Sequence, residues 1–195
     1  MELILASASP RRRELLSRLG LEFTVLAAQA DETLLPGLSP REQVIRLSAI
    51  KAQAVREALE SRPGQVIVSA DTVVVLDDAI LGKPKNAAQA AEMLRALSGR
   101  AHLVLTGVTV LTEDGPRQLC EETQVFFRPL RETEITAYIR TGEPMDKAGA
   151  YGIQGYGALF VEKLIGDYYN VMGLPLCALG RLLREAGIPI LEATL

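Results

Sequence analysis

Residues 3–16 read LILASASPRRRELL. Leu3 to Ala6 form a short apolar run suited to a strand. A loop of small residues follows. Ser9 is a good helix N-cap, and Pro10 suits the first helical position, where a missing N–H costs nothing. Strand, loop and helix in quick succession are the start of an α/β chain. The same stretch breaks a rule. Arg11, Arg12 and Arg13 crowd a helix start that already carries unpaired N–H groups and the positive end of the dipole. Acidic side chains are favoured there. An anion bound at that helix end would relieve the repulsion. A solvated basic face, with Glu14 beside it, is the plainer reading.

The interleaving continues along the chain. Residues 39–61 predict a helix: Ser39 and Glu42 make a capping-box pattern with Pro40 between them. One face carries Val44, Leu47, Lys51, Val55 and Leu59 at helical spacing. QVIVSADTVVVLDDAIL (65–81) predicts a strand rich in β-branched residues, with a turn at Asp77-Asp78. A helix over 86–98 closes at Gly99. Residues 102–130 predict two strands around Asp114-Gly115-Pro116. A helix over 132–141 stops at Gly142. The glycine-rich loop GAYGIQGYG (149–157) precedes a strand at 158–163. A last helix lies within 173–187, and 188–191 are expected to form a terminal strand. Helices alternate with strands, but hairpins are present too. The expected fold is therefore α/β with a mixed central sheet rather than a purely parallel one. No repeat, low-complexity tract or linker interrupts the 195 residues, so one domain, 1–195, is expected.

The totals exclude several functions. The net charge of −3, from 21 basic and 24 acidic side chains, argues against a broad surface for nucleic acid or anionic membrane. It leaves room for a small basic pocket. His102 is the only histidine, which nearly removes a His-based triad or a multi-His metal site. Cys120 and Cys177 stand far from any CxxC pattern, against a disulfide framework or a structural zinc site. No apolar run reaches the roughly 18 residues of a membrane span. The N-terminus has no basic stretch before its apolar run. A reduced, cytoplasmic enzyme or binding protein is expected.

Three further places break local rules. Lys51 falls within an apolar stripe, where it would either snorkel outward or point into a cleft under the sheet. Asp71 interrupts a strand that otherwise reads as buried. A buried carboxylate needs a cation, a metal or several donors, and Ser69 and Thr72 are near enough to offer hydroxyls. The alternative places Asp71 at a strand end or in a bulge, facing water. Lys83 sits in the turn LGKP. The glycine loop, spaced G-x-x-G-x-x-G-x-G, matches neither a dinucleotide fingerprint nor a phosphate loop. Within it, Gln154 carries an amide that both donates and accepts. Several cations around Asp31, Glu32 and Asp71 suit a polyphosphate with a divalent metal. Such chemistry works by positioning and charge neutralisation, and needs no histidine or cysteine.

These segments resemble the Maf family of nucleoside triphosphate pyrophosphatases. The pieces are ASASPRR (6–12), ADE (30–32), IKA (50–52), SADTVV (69–74), GKP (82–84), DKAGAYGIQGYG (146–157) and YYNVMGLPL (168–176). AGAYGIQG is further similar to the subgroup acting on dTTP and UTP rather than on 7-methyl-GTP. The resemblance implies hydrolysis between the α- and β-phosphates, releasing a monophosphate and pyrophosphate with a divalent cation, Mg²⁺ or Mn²⁺. It implies an elongated, two-lobed fold like that of inosine triphosphate pyrophosphatases, with a cleft between the lobes. In such folds a homodimer is common. By motif, Asp71 matches the proton acceptor. Arg12, Thr72 and Gln154 match positions linked to base selectivity. Ser7, Arg11, Lys51 and Lys83 match the phosphate-binding set, and Glu32 matches a metal ligand, with Asp71 expected to share the metal. Arg13 is a cation beyond the usual pair, and Met172 stands where a smaller apolar residue is expected. An aspartate with an ordinary pKa near 4 is a weak base at neutral pH, so Asp71 is expected to act with metal and water together. The competing expectation is a nucleotide-binding regulator of cell division or septum formation, which needs the cations but not the catalytic carboxylate. A phosphatase of another substrate class is a third; its product would be orthophosphate.

Overall fold

A computed structural model describes residues 1–60 and 63–191. In chain order the elements are β1 (Glu2–Leu5), α1 (Pro10–Ser17), β2 (Thr24–Val25), α2 (Pro40–Ala58), β3 (Gln65–Leu76), β4 (Ala79–Leu81), α3 (Ala87–Leu97), β5 (Ala101–Thr112), β6 (Gly115–Phe127), α4 (Glu132–Arg140), β7 (Val161–Ile165), α5 (Tyr168–Met172) and α6 (Leu176–Glu185). Three short 3₁₀ turns lie between α4 and β7. The strands form one seven-stranded sheet in the order β2-β1-β3-β5-β6-β7, with β4 paired to β3. It is mixed, as expected: β1 runs parallel to both β2 and β3, while β4 is antiparallel to β3 and β7 to β6.

The chain divides into two compact units, Met1–Asp71 with Thr106–Glu121 and Gly173–Leu195, and Thr72–Leu105 with Glu122–Met172. In the first unit the capping box at Ser39 is complete: Ser39 Oγ accepts from Glu42 N at 3.3 Å, and Glu42 Oε2 accepts from Ser39 N at 2.7 Å. Such a cap is worth about 1 kcal/mol. The apolar stripe of α2 then packs on the sheet, where Ala52 and Val55 join Ile4, Ala6, Ile67 and Leu111 in one core cluster. Strand β5 comes so close to α2 at Gly107 that a side chain there would overlap the Val44 carbonyl.

In the second unit α3 and α4 cover the sheet, and Leu94, Leu97, Val125, Phe127, Ile135 and Phe160 belong to its core. Asn86 caps α3 through Oδ1, 2.9 Å from Gln89 N. The hairpin from β3 to β4 turns at Asp77 and Asp78, both with positive φ (49° and 64°), the signature of a type I′ turn.

Several boundaries differ from the sequence reading. Helix α2 stops at Ala58, and position 61 lies outside the described residues. The strand expected at 158–163 is Val161–Ile165, because Tyr156–Phe160 coils as a 3₁₀ turn that buries Phe160. Residues 188–191 form no strand. Ile188 is instead buried, and its N–H closes α6 onto the Leu183 carbonyl at 2.9 Å. The two-residue strand β2 and the one-turn helix α5 have no counterpart in the reading.

Candidate active site

The first unit gathers six of the residues singled out. After β1, Ser7 is buried and its Oγ accepts from Ser9 N at 3.2 Å, which shapes the loop into α1. Ser9 then caps α1, accepting from Arg12 N at 3.5 Å. This fixes where Arg11 and Arg12 leave the helix. Glu14 does not answer the arginine crowding as a local neutraliser would; its carboxylate pairs with Arg18, one turn on, at 2.7 Å. Arg12 turns back across the chain, and its Nε donates to the Gly173 carbonyl at 2.8 Å. Gly173 has φ 106°, a conformation only glycine adopts readily, so the YYNVMGLPL segment serves to aim that carbonyl.

Lys51 takes the inward path. Its Nζ donates to Asp71 Oδ1 at 2.6 Å and lies 2.9 Å from Glu32 Oε2. Asp71 is 7% exposed, in a strand buried at every position except Thr72. The cation that a buried carboxylate requires is therefore Lys51. Ser69, one of the two hydroxyls expected to help, donates to the Ser48 carbonyl at 2.5 Å. Burial pushes the Arg12 pKa below the ordinary arginine value. Asp71 opposes that shift, Arg11 adds to it, and Glu32 opposes it. Arg12 stays a cation at neutral pH all the same. These mutual influences put Arg11, Arg12 and Lys51 in one electrostatic neighbourhood with Glu32 and Asp71. Among these five groups, three positive charges face two negative ones, and the excess suits an anionic ligand.

The donor set also bears on a metal. Among the described residues no group of three or more His, Cys, Asp and Glu is arranged to hold an ion by itself. Glu32 and Asp71 nevertheless converge on one point, marked by the Lys51 ammonium. Two carboxylates, completed by phosphate oxygens and water, are what a hard cation such as Mg²⁺ takes.

Thr72, Lys83 and Gln154 belong to the second unit. Thr72 follows Asp71 in β3, so strand alternation turns their side chains to opposite faces. Lys83 is exposed in the loop between β4 and α3. The carbonyl of its neighbour Gly82 accepts from Gly149 N at 3.1 Å, which ties the GKP turn to the glycine loop. Gln154 is exposed within that loop.

What holds the loop was not visible in the sequence. The Tyr138 hydroxyl donates to Glu143 Oε1 at 2.9 Å and accepts from Gly152 N at 3.0 Å. Glu143 also accepts from Tyr156 N at 2.9 Å and from Gly157 N at 3.2 Å. Burial, first among its causes, raises the Tyr138 pKa above the ordinary phenol range and keeps the hydroxyl a donor. Glu143 and Tyr138 sit in unremarkable helical and turn sequence, and only the fold brings their oxygens to the loop's N–H groups. His102 is likewise structural. Its Nε2 lies 2.8 Å from the Tyr151 hydroxyl, and burial pushes its pKa down to about 4.

Residues 2–186 match the family described as Maf-like protein. The chain is 50% identical to the dTTP/UTP pyrophosphatase of Bacillus velezensis, over 95% of this chain and 97% of that one. It is 52% identical to the dTTP/UTP pyrophosphatase of a Geobacillus species, over 95% and 98%. To the dTTP/UTP pyrophosphatase of Methanosarcina barkeri it is 47% identical, over 98% and 97%. Among solved structures, the Staphylococcus aureus Ham1 protein is similar at 14% identity, covering 65% of this chain and 72% of that one with a TM-score of 0.47. The fold described above rests on its own sheet and helices, not on that last likeness. A match across all but the chain's ends, with relatives about half identical along nearly their whole length, leaves one conclusion: the chain belongs to the Maf family.

Proposed function

We propose that this chain hydrolyses dTTP and UTP between the α- and β-phosphates, yielding the nucleoside monophosphate and pyrophosphate. The observation that carries the reading is the Lys51 ammonium held between Asp71 and Glu32, in the electrostatic neighbourhood of Arg11 and Arg12. The relatives named for that activity support it.

In this reading a water attacks the α-phosphorus, the bridging oxygen to the β-phosphorus leaves with pyrophosphate, and Asp71 takes the proton the water gives up. Lys51 orients Asp71 and, with Arg11, Arg12 and Lys83, offsets charge on the phosphate chain. Ser7 holds the turn that delivers the arginines. Glu32 and Asp71 would hold a divalent cation, Mg²⁺ or Mn²⁺, which supplies Lewis-acid neutralisation at the phosphate oxygens when bound. The Gln154 amide, one acceptor and one donor, matches the N3–H and O4 edge of uracil or thymine. Arg12 and Thr72 complete the base-selecting set.

No helix among the described residues is long and apolar enough to cross a membrane, and neither Cys120 nor Cys177 is joined in a disulfide. We propose the cytoplasm as the compartment of the reaction, and cysteines kept as thiols support this. The test is a panel of nucleoside triphosphates with Mg²⁺ and with Mn²⁺, scored for monophosphate and pyrophosphate. dTTP and UTP should lead the panel. A protein that only senses nucleotide would bind the same compounds and release no pyrophosphate, and a different phosphatase would release orthophosphate.

A further inference from the structure

The glycine loop is fastened on both sides of Gln154 by one pair of side chains. On the N-terminal side, Gly152 N donates to the Tyr138 hydroxyl at 3.0 Å. On the C-terminal side, Tyr156 N and Gly157 N donate to the two oxygens of Glu143, at 2.9 and 3.2 Å. Tyr138 and Glu143 are themselves joined at 2.9 Å. Three donors thus converge on one carboxylate, one from a hydroxyl and two from backbone. Only an acceptor without protons of its own satisfies all three. Lys147 Nζ, donating to the Glu143 carbonyl at 2.6 Å, fixes the backbone that carries this carboxylate.

The glycine spacing has the same origin. A Cβ at Gly155 would run into the Glu143 carboxylate, and one at Gly152 would stand 2.6 Å from Lys147 Cε. One at Gly157 would stand 2.5 Å from the Gly152 carbonyl oxygen. The loop is glycine-rich because its backbone lies directly on this clamp. Nothing in the hydrolysis described above uses Glu143 or Tyr138, and their geometry acts on the placement of position 154.

We infer that Glu143, with Tyr138, is a positioning residue for base selection: it sets where the Gln154 amide stands and so which nucleobase edge is accepted. The inference rests on Gln154 reading the base.

The experiment compares UTP with CTP as substrates of the full-length protein, with kcat and KM measured separately for wild type, Glu143→Gln, Tyr138→Phe, Gln154→Ala and the two double variants with Gln154→Ala. Glu143→Gln keeps the shape but turns a donor toward a donor. Tyr138→Phe removes only the hydroxyl and carries the test if Glu143→Gln fails to fold, as judged by thermal unfolding. Each should lower the preference for UTP over CTP about tenfold, one hydrogen bond's worth, chiefly through a higher KM for UTP. In the Gln154→Ala background either change should move that preference by less than about twofold. Equal losses on both bases, or an undiminished effect without Gln154, would overturn the inference and leave the base-reading role intact. A Gln154→Ala protein with unchanged preference would overturn both.

Discussion

The Lys51 ammonium stands 2.6 Å from the Asp71 carboxylate, and each residue by itself breaks the pattern of its own element. A lysine in an apolar helical stripe and an aspartate in a buried strand are both unfavourable. Together they offset one another, because an ion pair with little access to water keeps most of its attraction. Their side chains are 16% and 10% exposed, so the pair retains a narrow opening, while Glu32, at 60%, reaches it from the solvent side. That opening is what an incoming phosphate needs.

Replacing Lys51 with Met should leave Asp71 without its main cation. Stability should fall by about 1–3 kcal/mol, the cost of leaving a buried polar group unsatisfied. Hydrolysis should slow by at least about 100-fold, the usual effect of removing a preorganised charge. Thermal unfolding and steady-state kinetics measure the two effects. Adding Asp71→Asn to the Met variant should restore part of the stability and none of the activity.

Arg12 is held by shape as well as charge, since its Nε meets the Gly173 carbonyl at 2.8 Å. Lysine in its place keeps the charge but has no planar donor for that carbonyl. Arg12→Lys should cost about tenfold in kcat/KM. Gly173→Ala, strained at a φ of 106°, should act in the same direction by moving the carbonyl. Unchanged kinetics in both would separate Arg12 from the site.

Much of this was legible in the chain itself. Ser9-Pro10 and the Ser39 box mark helix starts through side-chain chemistry that acts within a few residues. Lys51 and Asp71 announce themselves because a charge in an apolar pattern needs a partner. What stayed hidden depends on distant chain. Strand β2 is two exposed residues with no period to read. The expected terminal strand, 188–191, has apolar residues, but the close of α6 claims them. Glu143 looks like any acid after a helix until Tyr138, Tyr156 and Gly157 bring it three donors.

Gly107 is another such residue, ordinary in a strand yet pressed against α2. A Cβ there would overlap the Val44 carbonyl and stand 2.7 Å from Ile45 N. Both are backbone and cannot rotate away. Gly107→Ala should destabilise by about 1–3 kcal/mol, as overpacking does, and lower activity because α2 carries Lys51. Gly82→Ala, with no positive φ and nothing within 4 Å of its Cβ, separates this crowding from the general cost of replacing a glycine.

His102 gives a pH signature. Burial holds its folded pKa at about 4, below the usual 6.5. Above 6.5 it is neutral folded and unfolded, and contributes no pH dependence. As pH falls from 6.5 to about 4, the unfolded chain takes up a proton that the folded chain refuses, so stability is lost with acid. The loss is on the order of 3 kcal/mol and is complete below the folded pKa. Carboxylates with lowered pKa values, Glu42 and Glu132 among them, also contribute stability that is lost in acid. The difference between wild type and His102→Phe isolates the histidine. Denaturant unfolding between pH 7 and 4 should show a shallower decline for the Phe variant.

The most direct measurement follows UTP hydrolysis in ¹⁸O-labelled water, with wild-type protein and with Asp71→Asn. Attack at the α-phosphorus by a water that Asp71 deprotonates predicts label in the UMP and none in the pyrophosphate. It also predicts a loss of at least about 100-fold in kcat for the Asn variant. Label in the pyrophosphate, orthophosphate as the product, or an Asn variant as fast as wild type would contradict the account.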